Sequence, residues 1–139
     1  MSSTLFFIDL RAKHKNNFVS KLGKLVEYTF GVLKDKKDRS LFVNFITDVS
    51  PVCDCPPFND APIVRDVCVV ASTDPVAIDQ ASVDLVNQER VLPGSCLKKN
   101  RLPGKDKFKG LYPEVDWPIQ LEYGERLGLG SRDYVLERI

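Results

Sequence analysis

The sequence predicts an α/β layered domain, with a mostly parallel sheet flanked by helices. Three observations lead there. Residues 41–46 (LFVNFI) and 64–71 (VRDVCVVA) are apolar over long continuous stretches, the pattern of strands covered on both faces. Residues 16–33 and the stretch from Pro75 onward carry apolar side chains at helical spacing. The resulting order is strand, helix, strand, long loop, strand, helix, loop, helix, which suits a layered arrangement.

The first element is residues 4–9 (TLFFID), a short apolar strand. In the helix that follows, Phe18, Leu22, Leu25, Val26, Thr29 and Phe30 fall on one face and lysines on the other. Asn16 or Asn17 can cap its start, and LKDKKDR ends it in a charged turn. With LFVNFI, these elements make residues 4–46 a right-handed βαβ crossover. The clearest helix start is STDPVAIDQASVDLVNQ. There Thr73 or Asp74 offers a capping oxygen, and Pro75 takes the first helical position, where a missing N–H costs nothing. Residues 91–110 read as a loop rich in Pro, Gly and Lys. A last helix is expected over residues 117–127, with Asp116 as cap and Gly128 as stop, and a short terminal helix over 131–139.

A length of 139 residues suits one domain, residues 1–139, large enough to bury a core. A net charge of +1 gives no global reason to expect nucleic acid or an acidic membrane surface. The one basic run, KKNRLPGKDKFKG, carries no recognisable nucleic-acid module and reads as a solvated loop. No apolar run approaches the roughly 20 residues of a membrane span. The N-terminus lacks the pattern of a secretory signal, so a cytoplasmic chain is expected.

In open α/β sheets, sites form beyond the carboxyl ends of parallel strands. Applied here, that rule gathers Asp48, Cys53, Cys55, Ser72, Thr73 and Asp74 on one edge, with the Pro75 helix aiming its N–H groups at them. Four cysteines in a chain of this kind do not suggest a disulfide framework. Cys68, inside VCVVA, reads as a small core hydrophobe. Cys53 and Cys55, in a loop stiffened by Pro51, Pro56 and Pro57, are either a ligand pair or an unliganded turn. A tetrahedral metal site needs more than two ligands, and Cys96, Asp48, Asp54 or His14 would have to complete it. The cofactor is then an iron–sulfur cluster or a single thiolate-bound metal, or none if the loop is only structural. Asp79 sits on a rather apolar helix side and needs a buried partner, for which Asn44 is the candidate. Asn59-Asp60 reads first as a turn, with Asp60 facing the site as the alternative.

NFITDVSPVCDC, NDAPIV, ASTDPVAIDQASVDLVN and QLEYGERLGLGSRDY together resemble the carboxyl-terminal half of the domain of unknown function 362 family. That resemblance implies an α/β fold in prokaryotic proteins and an iron–sulfur or redox setting. Carried over by position, it points to Asp48, Cys53, Cys55, Asp60, Asp74 and Asp79. The ferredoxin cysteine repeat and the amino-terminal half are absent here. The implied partner is a ferredoxin-type protein or the missing half of the family architecture. Two functions from different classes follow: a metal-thiolate redox domain, or a non-catalytic binding or assembly module that docks a partner chain. No nucleophile–base pair marks a hydrolase.

Overall fold

The 19-residue helix α1, Lys15–Leu33, ends where the backbone turns left-handed at Asp35 (φ 66°). An aspartate tolerates that conformation because its short polar side chain relieves the usual penalty. Lys36 closes the end by donating from Nζ to the Val32 carbonyl at 2.6 Å, a cation on the negative pole of the helix. The computed structural model describes residues 15–36, 39–52 and 58–139. The predicted strand over residues 4–9, His14, and the loop residues Cys53, Asp54 and Cys55 lie outside them.

After α1 come β1 (Phe42–Ile46), β2 (Cys68–Ser72), α2 (Pro75–Gln88), α3 (Lys107–Leu111) and α4 (Pro118–Arg126). The expectation of a mostly parallel sheet is overturned. Among the described residues β1 and β2 form a two-stranded antiparallel sheet, with Phe42 opposite Ser72 and Ile46 opposite Cys68. A parallel pair needs a crossover long enough to carry the chain back, usually a helix. Here the connection reverses on itself instead. Asp48 turns the chain with φ 54°, and Val67 N donates to Ile46 O and Ile63 N to Val49 O, each at 2.8 Å.

The sheet has one covered face. Asn44 and Ile46 are buried on the side that packs against α2, whereas Val43, Phe45 and Val69 are exposed on the other side. Continuous hydrophobicity predicted cover on both faces, and the described residues supply it on one.

Helix α2 is the spine of the molecule. Its Val86 joins Ile46, Val49, Ile63, Val64 and Leu97 in one core cluster. Its Val76 joins Val26, Leu121 and Leu129 in a second, between α1, α2 and α4. The predicted start is as expected: Asp74 Oδ1 accepts from Val76 N and Ala77 N, both at 2.9 Å, with Pro75 in the first turn. The same carboxylate accepts Ser131 N at 2.9 Å through Oδ2. Gly130 is what permits this approach, since a Cβ there would overlap Asp74 Oδ1.

Downstream, α3 falls within the segment read as loop; five residues are too few for periodicity to show. Asp106 caps it, accepting Lys109 N at 2.8 Å, and also holds Trp117 Nε1 at 3.0 Å. Helix α4 stops at Gly128 (φ 76°) as expected. Its N-cap position is Trp117, one residue beyond the predicted Asp116. The terminal helix over residues 131–139 does not form; that segment is irregular and exposed over most of its length.

Candidate functional site

Antiparallel pairing separates residues that the predicted common edge would have gathered. Asp48 and the foot of the Cys53/Cys55 loop leave the sheet at its Ile46 end, opposite Cys68. Ser72, Thr73 and Asp74 lie at the other end, opposite Phe42. Asp74 is committed to capping α2 and anchoring Ser131. Ser72 Oγ accepts the Asp74 N–H at 3.0 Å. Thr73 lines a cavity of about 200 Å³ whose walls are mostly apolar, among them Phe30, Leu33, Phe42 and Leu129. That cavity lies by the Phe42 end of the sheet, the end opposite Ile46.

At the Ile46 end the structure does bring predicted residues together. The side chain of Asn59 clamps the root of the loop: Nδ2 donates to Ser50 Oγ at 2.8 Å and to Val52 O at 2.7 Å, while Oδ1 accepts Val52 N at 3.3 Å. An amide side chain offers a donor pair and an acceptor, so one residue can imitate a strand neighbour for Val52. Tyr112 Oη adds a bond to Pro51 O at 2.8 Å. The next residue, Asp60, faces Cys96. Partial burial, and then the charge and hydrogen-bond acceptance of the Asp60 carboxylate, hold the Cys96 thiol above its ordinary pKa, with Lys98 opposing. Asp48, exposed in its left-handed turn, donates its backbone N–H to Asp66 Oδ1 at 2.9 Å.

Cys68 corrects a sequence reading. It is exposed at the start of β2, opposite Ile46, and it is not a core side chain. Among the described residues no group of three or more His, Cys, Asp and Glu side chains gathers as a metal cage.

A second polar group sits inside the protein. Asn44 Nδ2 donates to Asp79 Oδ1 at 3.0 Å and to Ser82 Oγ at 3.1 Å, and Ser82 Oγ donates to Ile78 O at 2.7 Å. The partnership expected for Asp79 is therefore present. Burial pushes the Asp79 carboxyl up to about 6, against the partly opposing Asn44 bond. A polar residue amid LFVNFI and an aspartate on an apolar helix side were the signals that made the pair legible.

Sequence reasoning missed Lys107 and Gln120. Lys107 is fully buried, and its Nζ donates to Asn87 O, one of the last carbonyls of α2, at 2.5 Å. That places a cation at the negative end of a helix. A lysine inside KKNRLPGKDKFKG gave no sign of this, because lysine runs read as solvated.

Residues 10–84 match the family described as Domain of unknown function (DUF362). The chain belongs to this family. The match takes in the Cys53/Cys55 loop, Asp60 and the start of α2, and it ends before Cys96 and the closing QLEYGERLGLGSRDY segment. No curated protein and no solved structure matches the chain. No described helix is long and apolar enough to cross a membrane.

Proposed function

We propose that this family member is a metal-thiolate domain in an iron–sulfur or redox setting. Cys53 and Cys55 are its loop ligands, and Cys96 and Asp60 complete the shell. What supports this is that the Asp60 carboxylate lies near enough to Cys96 to raise its thiol pKa, directly beyond the Asn59 clamp at the loop's root. Two elements far apart in sequence thereby present a thiol and a carboxylate beside a loop that bears two more thiols.

The donor set fits a soft or borderline metal. Thiolates favour zinc, copper(I) and iron–sulfur centres, and three sulfurs with one oxygen make a four-ligand shell. Asp48, at the turn that launches the loop, is the alternative oxygen ligand. The raised thiol pKa of Cys96 has a chemical consequence: an incoming metal must displace that proton, so affinity rises with pH. A ferredoxin-type protein is the partner this setting calls for.

Anaerobic purification with metal analysis and an absorption spectrum tests the proposal. It is supported if bound metal and a thiolate charge-transfer band are present and both fall in Cys53→Ser, Cys55→Ser and Cys96→Ser. A colourless, metal-free protein that takes up neither zinc nor iron, and whose variants behave as the parent does, removes it.

A further inference from the structure

Helices α1, α2 and α4 meet around a cavity of about 20 Å³. Most of its wall is apolar, including Val26, Val76 and Leu121, but Asp79 and Gln120 also line it. These two are only 6% and 7% exposed. Gln120 Oε1 is buried without a hydrogen-bond partner among the described residues. Asp79 has Asn44 on Oδ1, while an ionised carboxylate accepts up to about four donors. The third polar group on the wall, Thr29, turns its hydroxyl proton away to Leu25 O at 3.0 Å. Among the described residues, Asp79 and Gln120 Oε1 thus face the cavity as acceptors.

We propose that this cavity is a binding site for one water molecule, which donates one O–H to Asp79 and the other to Gln120 Oε1. Three considerations select water. A site for a single water needs roughly 10–15 Å³ of this kind of space, which the cavity meets without room for a larger guest. The two acceptors match the two donors of one water molecule. A metal cation would neutralise the buried carboxylate, yet hard cations take about six or more oxygens, and among the described residues Asp79, Gln120 and Thr29 are the oxygen-bearing side chains on the wall. The bridge spans α2 and α4, so it joins two helices that otherwise touch through Val76, Leu121 and Gly124.

The test is a high-resolution crystal structure of the full chain together with magnetic relaxation dispersion in solution, each run on the parent and on Gln120→Met. The expected result is a density peak about 2.7–3.0 Å from both the Asp79 carboxylate and Gln120 Oε1. In solution, the parent should show one more long-lived water than Gln120→Met. Two results would overturn the proposal. One is a dry cavity with the amide reversed, so that Gln120 Nε2 donates straight to Asp79. The other is a peak that gains anomalous signal when thallium(I) replaces sodium, which marks a cation. If Gln120→Met fails to fold, the parent structure and the thallium exchange still decide between these outcomes.

Discussion

Asn44 in the middle of β1 donates to Asp79 on α2 at 3.0 Å, and both are buried. This bond crosses the seam between sheet and helix layer, so the charge state of Asp79 bears directly on how the layers hold together. Its carboxyl sits at about 6 in the folded chain, above the ordinary 3.8, because burial disfavours the anion.

A raised carboxyl pKa means the folded state binds the proton more tightly than the unfolded state. The stabilisation linked to that proton is complete below about pH 4 and is lost as pH rises through about 6. Two pKa units correspond to about 3 kcal/mol. Asp79→Asn keeps an oxygen for Asn44 and removes the ionisation, so its unfolding free energy should fall less between these pH values. Urea titrations of parent and variant across that range check this; parallel pH profiles would contradict it.

Asp74→Ala should cost about 1–2 kcal/mol for the lost cap, with an added loss because Ser131 N no longer has its acceptor. Amide exchange provides the specific readout. Protection should drop at Val76, Ala77 and Ser131 together, whereas a loss confined to Val76 and Ala77 would show that the tail is held by other means.

Lys107→Ala should destabilise by about 1–3 kcal/mol, because the Asn87 carbonyl keeps only its Gly104 N–H donor and the fully buried lysine stem leaves a gap. Lys107→Met restores most of the volume but not the donor. Chemical denaturation should therefore place it between Lys107→Ala and the parent; recovery to parental stability would mean that packing, not the ammonium, is what matters.

The thiol of Cys96 should alkylate slowly near pH 7, since burial and Asp60 keep it protonated. Asp60→Asn removes the charge and should raise the rate of Cys96 modification, read by mass spectrometry of the labelled peptide. An unchanged or lower rate would show that Asp60 does not act on the thiol.

Local chemistry was readable before the fold was. The start of α2 was visible in Asp74-Pro75 because capping needs a specific oxygen at a specific offset. The Asn44–Asp79 pair was visible because each is a polar residue where its neighbours are apolar. Strand direction was not visible, since LFVNFI has the same composition whichever way its neighbour runs. The sequence between β1 and β2 shows no helical pattern, and a connection without a helix rarely carries a parallel crossover. Asp60 and Cys96 were each flagged, but their meeting depends on a loop path that hydrophobic periodicity does not describe. Lys107 was hidden entirely, because nothing local distinguishes a lysine that ends a helix from one that meets solvent.

The pair of backbone bonds at the foot of the excursion between β1 and β2, Val67 to Ile46 and Ile63 to Val49, gives that stretch the properties of a graft. The polypeptide departs and returns at the same place, so lengthening what lies between costs mainly the entropy of joining the ends, about 0.6 kcal/mol per doubling. Insertions there can drift through evolution with little effect on the framework, and whatever chemistry the excursion carries can be exchanged without rebuilding the protein beneath it.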